Sequence, residues 1–179
     1  MNKQTFRLIP FGQCPTLDNT TILGTIGRLG SSLSLSYTLS GNLERIEWPP
    51  PSANHERKDE LWLRTCFEVF VALSGQEQYW EFNFAPTGDW NSYRFSTYRR
   101  RSDGVVLPHT PTVRAALRAQ QAVMQVDVTL PIEILATDPL QIGIAAVVKD
   151  HAGSIEYFAL THQAKKPDFH LRNSFVLGM

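Results

Sequence analysis

Apolar and polar residues alternate along most of this chain, and the alternation predicts strands. In 31–40, SSLSLSYTLS, every odd position from Leu33 to Leu39 is apolar and every even one is Ser or Thr. Strand side chains point to opposite faces in turn, so this segment reads as a half-exposed antiparallel strand. In 123–131, VMQVDVTLP, the residues Met124, Val126, Val128 and Leu130 face in, while Gln125, Asp127 and Thr129 face out. Segments 6–11, 20–26, 90–98, 112–118, 154–160 and 174–179 carry weaker versions of the pattern. The run LQIGIAAVVKD, 140–150, is apolar on both faces, which predicts a central strand covered on both sides. Only 131–135, PIEIL, suggests a helical turn, with Pro at its front.

Ser-Gly at 74–75, PTGD at 86–89, SDG at 102–104 and HAG at 151–153 mark turns between these strands. The segment 48–60, WPPPSANHERKDE, is Pro-rich and charged and reads as a surface loop. About ten strands with no helices between them predict an all-β fold, an antiparallel β-sandwich or jelly roll. With 179 residues and no internal repeat, a single domain spanning 1–179 is expected.

The stretch 65–86, TCFEVFVALSGQEQYWEFNFAP, holds the most unusual pattern. Phe67, Val69, Val71 and Leu73 form one apolar row, and Trp80, Phe82 and Phe84 another. The opposite rows are Cys66, Glu68, Phe70 and Ala72, then Tyr79, Glu81 and Asn83. A two-residue type II′ turn at Gly75–Gln76 would pair Val71 with Trp80, Val69 with Phe82 and Phe67 with Phe84. On the second face it sets Glu68 against Asn83 and Phe70 against Glu81. A slip of one residue would oppose two glutamates, which is unfavourable. A carboxylate among apolar neighbours must be solvated, paired or hydrogen-bonded, so this face is a candidate binding face.

Charge and cysteine usage narrow the classes. Lys plus Arg equals Asp plus Glu, giving zero formal net charge, which argues against a nucleic-acid binder. The run Arg99–Arg101, near Arg94, reads as a solvated turn. No run of 18 apolar residues exists, so no membrane span is expected. The N-terminal segment carries no secretory apolar run, and a cytoplasmic protein is the simplest expectation. Against that background the glycosylation pattern at Asn19–Thr21 carries little weight. Cys14 and Cys66 are too few for a disulfide framework, and Cys66 reads as a small buried hydrophobe. Gly24, Gly27 and Gly30, spaced by three, fit no nucleotide fingerprint and are expected at bulges and a turn.

The motifs LWLRTCFEVFV (61–71), YWEFNFAPTGDWNSYRF (79–95) and YFALTHQAKKPDFHLRNSF (157–175) resemble the DOMON-like proteins related to family 9 carbohydrate-binding modules. The resemblance covers the chain from about residue 40 onward. It implies a β-sandwich without enzymatic activity of its own, whose relatives bind sugars or, in other DOMON domains, haem. It further implies a sugar held between two aromatic rings and hydrogen-bonded by Glu, Arg and Asn. Trp62 matches one ring, Glu68 the acid and Asn83 the amide. Glu81 stands where the Arg is expected. Tyr157 and Phe158 are the aromatic residues available for the second ring.

A pyranose has apolar C–H faces and a polar rim, so aromatic rings, carboxylates and amides suit it independently of any relative. The site expected is therefore Trp62, Glu68, Glu81, Asn83, Tyr157 and Phe158, for a small saccharide or sugar-like ligand, with no cofactor. A protein partner presenting a similar surface is also allowed. The plainer alternative packs Trp62 beneath the proline loop and pairs Glu68 with an arginine such as Arg94. Two other classes are open. Haem or another hydrophobic cofactor would need an axial ligand such as Met124 or His162, though Met124 reads more simply as core. A metal-dependent enzyme would use His162, Asp168 and His170, though these more simply hydrogen-bond backbone in an ordered loop.

Overall fold

The computed structural model describes residues 2–13, 17–102, 107–118, 120–135 and 137–179. Twelve strands follow in chain order among them, with no α-helix. These are β1 (Asn2–Pro10), β2 (Thr21–Leu29), β3 (Ser32–Ser40), β4 (Cys66–Leu73), β5 (Tyr79–Phe84) and β6 (Trp90–Thr97). After them come β7 (Arg100–Ser102), β8 (Thr112–Leu117), β9 (Gln121–Thr129), β10 (Leu140–Lys149), β11 (Ile155–Ala159) and β12 (Leu177–Gly178). One sheet runs β1-β2-β3-β9-β8 and the other β7-β6-β5-β4-β10-β11, with β12 also on β10. Every strand pair is antiparallel. Strand β1 belongs to both sheets: Asn2–Leu8 pairs with β2, and Ile9–Pro10 with β11.

The predicted rows form the core between the sheets. Leu33, Leu35, Tyr37 and Leu39 of β3 meet Phe67, Val69 and Val71 of β4 and Trp80, Phe82 and Phe84 of β5 in one buried cluster. Each buried Phe or Leu there contributes about 2–3 kcal/mol of hydrophobic stabilisation. Met124 is packed in this core, as its row required. Strand β10 is central, between β4 and β11, and nearly all of it is buried.

Three local expectations change. Gly24 sits in unbroken register with Phe6 on one side and Tyr37 on the other, so it marks no bulge. Its missing side chain instead makes room: a Cβ there would lie 2.3 Å from the Phe6 ring, which meets Tyr37 edge-on at 5.5 Å. Gly27 likewise stays in register, while Gly30 does make a turn, with φ +60°. The segment 174–179 yields only the two-residue β12. In 131–135 the Ile134 N–H closes on the Pro131 carbonyl as one turn, without a helix. Cys14 and the Asp103–Gly104 part of the predicted 102–104 turn lie outside the described residues.

No helix among the described residues is long and apolar enough to cross a membrane. Near the sequence ends, the Gln4 side chain donates to the Gly178 carbonyl at 2.6 Å. Arg28 donates to the carbonyls of Leu135, Asp138 and Met179, tying the same corner together.

Candidate ligand-binding site

The hairpin β4–β5 takes the register that its side-chain pattern demands. Val71 faces Trp80, Val69 faces Phe82 and Phe67 faces Phe84, while Glu68 faces Asn83 and Phe70 faces Glu81. The turn differs from the expected type II′. Gln76 N–H closes on the Leu73 carbonyl, so Gly75, with φ +77°, is the third residue of that turn and not the second. Only Gly takes that conformation without strain.

The second face of the hairpin is covered. Phe70, Ala72 and Tyr79 join Tyr93 and Phe95 of β6, Ala145 of β10, Ala159 of β11 and Phe175 in a separate buried cluster. Tyr79 and Phe95 stack at 4.8 Å, and Phe175 packs 5.6 Å from both Phe70 and Tyr79. A Cβ on Gly143 would come within 2.9 Å of the Phe175 ring, so β10 is bare where the C-terminal segment crosses it.

Beside this cluster the face opens into a cavity of about 660 Å³. That lies within the roughly 300–1,000 Å³ of small-molecule sites. Glu68 and Glu81 form its floor, Tyr93, Phe95, Tyr157 and Phe169 its aromatic walls, and Arg99, Arg101 and Lys166 bring positive charge to it. Trp62 stands at the edge, 36% exposed, on a 3-10 turn (Leu61–Leu63), with its ring 5.8 Å from Tyr93.

The floor is chemically unusual. Glu68 is 4% exposed and Glu81 5% exposed, side by side on one face. Glu81 Oε1 accepts from Asn83 Nδ2 at 2.8 Å. No described residue hydrogen-bonds the Glu68 carboxyl, and Asn83 Oδ1 is a buried acceptor without a partner among the described residues. Burial pushes the Glu68 carboxyl well up, and neighbouring Glu81 adds to it. Burial likewise lifts Glu81 to about 7, against the pull of the Asn83 hydrogen bond, Arg99 and Arg101. Both acids therefore hold their protons further into the neutral range than free carboxyls do.

His170 caps the floor. Its Nδ1 lies 2.8 Å from Tyr79 Oη, and its Nε2 lies 3.8 Å from Glu81 Oε2. Arg99 N–H donates to Tyr79 Oη at 3.1 Å, so the hydroxyl joins the turn to the histidine. Burial, followed by the charge of Arg99, lowers the imidazole to about 4, so the ring is neutral.

The β6–β7 turn delivers the cations. Arg99 has φ +53°, a left-handed backbone that a bulky residue rarely adopts. Its guanidinium donates to Asp168 at 3.0 Å, and Tyr98 Oη donates to the same carboxylate at 2.6 Å. Burial would raise the Asp168 carboxyl, but these bonds and the His170 N–H outweigh it and hold it low. Arg101 lies 4.0 Å over the Tyr93 ring. Asp59, from the proline-rich loop, accepts from Tyr93 Oη at 2.8 Å and from Asn91 at 3.0 Å. Those contacts fasten the loop against the site wall.

Of the residues singled out in the sequence, Trp62, Glu68, Glu81 and Tyr157 line the cavity together. Asn83 lies beneath it, bonded to Glu81. Phe158 does not belong: its neighbour Tyr157 points outward, so Phe158 points into the core between the sheets. The suggested Glu68–Arg94 pair is also absent, because Arg94 sits on the other face, bonded to Gln78 and over Trp80.

His162, Asp168 and His170 do not converge. His162 contacts the Ile9 carbonyl and packs against Phe11, and no metal-ready cluster of three His, Cys, Asp or Glu exists among the described residues. Met124 and His162 both lie off the cavity. Cys66 is buried and free, its thiol pushed up by burial.

The sequence reading missed Arg99, Arg101, Tyr93, Phe95, Lys166 and Phe169 as cavity residues. The signal was the alternation Tyr93–Phe95 followed by Arg99–Arg101, a hairpin whose second strand has three residues and leaves no periodicity to read.

Fold and site together define a two-sheet antiparallel sandwich with a concave, aromatic-walled site on one outer face. No family model matches the chain, and no curated protein does. Among solved structures it is similar to a candidate carbohydrate-binding protein from Bacteroides uniformis, with a TM-score of 0.68 at 12% identity. That match covers 96% of this chain and 83% of the other. It is also similar to a family 9 carbohydrate-binding module from Caldicellulosiruptor kristjanssonii in complex with cellotriose, with a TM-score of 0.56 at 9% identity. There the match covers 88% of this chain and 72% of that one. A family 9 module from the same organism in complex with glucose matches at a TM-score of 0.50 and 9% identity, over 79% and 67% of the two chains. At these identities the likeness is one of fold, and it makes this chain a family-9-like β-sandwich.

Proposed function

We propose that the chain is a non-catalytic module binding a small saccharide or sugar-like ligand in the cavity floored by Glu68 and Glu81. The observation that carries this reading is the floor itself. Two carboxyl groups, one without a hydrogen-bond partner among the described residues, sit at the base of an aromatic-walled cavity. The Glu68 carboxyl opens onto the cavity with its bonding capacity unspent on the described residues, so ligand hydroxyls can take it up. Protonated or ionised, a carboxyl serves sugar hydroxyls as acceptor, and protonated also as donor. Trp62 and Tyr157 are the rings that would meet the apolar faces of the sugar. The fold likeness to modules solved with cellotriose and glucose agrees with this choice. The same proposal makes the chain a DOMON-like module, on the motifs at 61–71, 79–95 and 157–175.

A thermal-shift screen against monosaccharides, short oligosaccharides, sugar nucleotides and haemin tests it. A ligand that binds only the folded chain raises Tm as its concentration exceeds Kd. One sugar class should raise it, and Trp62→Ala or Glu68→Gln should abolish the rise while leaving the unliganded protein folded. A response to haemin alone, or to nothing, overturns the saccharide reading.

A further inference from the structure

Charge in the cavity is layered by depth. The floor carries two carboxyls that keep their protons to higher pH than free carboxyls do, Glu81 up to about 7, and the cations Arg99, Arg101 and Lys166 stand around them. Their partners differ. Arg99 is committed to Asp168 and Tyr98. Among the described residues, the ion pair of Arg101 is a loose one, 3.6 Å to Asp59 Oδ1, an oxygen already taking bonds from Tyr93 and Asn91. Stacking on Tyr93 fixes its guanidinium in place without consuming its in-plane donors. Lys166 is exposed on the C-terminal loop and has no ion pair or hydrogen bond among the described residues.

A neutral sugar would bring no counter-charge to Lys166, and would leave Arg101 with only its share of the Asp59 carboxylate. A fully ionised acidic floor would repel an anion; with both carboxyls raised, this floor carries less negative charge, and whichever carboxyl is protonated can donate to the anion. We infer that the ligand is an anionic pyranose, bearing a carboxylate or phosphate that Arg101 and Lys166 hold while the ring lies over Glu68 and Glu81. This deepens the saccharide reading and rests on it.

Calorimetric titration of the full chain with glucose, glucuronate, galacturonate and glucose 6-phosphate tests the inference. At least one anionic sugar should bind about tenfold or more tighter than glucose. The advantage should shrink as salt rises from about 0.02 to about 0.3 M, since exposed charges are screened. Preference for a uronate or for the phosphate ester identifies which anion the site takes, and either supports the inference.

Lys166→Gln, on an exposed loop, should cut the preference several-fold without unfolding the protein. Arg101→Gln should do the same, with circular dichroism confirming the fold. Glucose binding as tightly as every anion would overturn the inference and leave the saccharide reading standing. No binding by any of the four to the folded protein would sink both.

Discussion

Glu81 is a residue whose chemistry the fold changes in a way that solution experiments can read. Its carboxyl titrates at about 7 in the fold against 4.5 ordinarily. Between those values the folded chain keeps a proton that the unfolded chain has released. Stability therefore falls as pH rises through this window, and the loss is complete above the folded pKa. The full difference is worth about 3 kcal/mol. Glu68 acts in the same direction. His170 acts oppositely, because its lowered pKa of about 4 removes stability as pH falls below 6.5.

Glu81→Gln keeps an acceptor for Asn83 and cannot ionise. It should flatten the decline above pH 5 and raise stability at pH 8–9 by about 1–3 kcal/mol, read by urea unfolding at several pH values. A parallel curve for the two proteins would show that Glu81 is ionised at no cost. None of this was visible in the sequence. Alternation placed Glu68 and Glu81 on one face, but not under the C-terminal segment that removes them from water.

At the scale of elements, the β4–β5 hairpin was legible and its cover was not. Like-charge avoidance and aromatic rows fixed every pair, and the register survives a turn different from the expected one. Segment 160–176 has almost no regular structure and no period to read, yet it decides which outer surface of the sandwich becomes a site. Phe175 is its anchor, held by Phe70, Tyr79 and the Arg172 guanidinium at 4.7 Å.

Phe175→Ala should destabilise the protein by about 3 kcal/mol, since a large buried ring is removed over the bare backbone of Gly143. Hydrogen exchange should show segment 160–176 losing protection before the β3–β9 ladder does. Equal loss in both places would mean that the cover and the sandwich open as one unit. The basic run at Arg99–Arg101 was legible as a turn, but that it brings Arg99 and Arg101 to the cavity was not, because Arg99 takes a left-handed backbone that only the three-dimensional hairpin reveals.

At the scale of the molecule, the fold was the most readable property. Strand rows, turn signals and missing helices pointed to a sandwich, and two sheets joined through β1 are what forms. Which strands the sheets exchange is set by β1 changing partners at Ile9, where Ile9 meets Ala159, and a single strand's pattern carries no record of that. The proposed function rests on the outer surface that the C-terminal segment partly roofs.

The contact between Gln4 and Gly178 has a consequence for the order in which the strands need be strung together. With the first and last strands meeting at one corner, a short linker can join them, and the chain can be reopened at the exposed tip 151–153 between β10 and β11. The circular permutant would begin with β11 and the loop that roofs the cavity and finish with β10. It should melt within a few degrees of the parent and respond to the same ligand. The recognition surface would then belong to the assembled architecture, indifferent to which of its pieces the ribosome makes first.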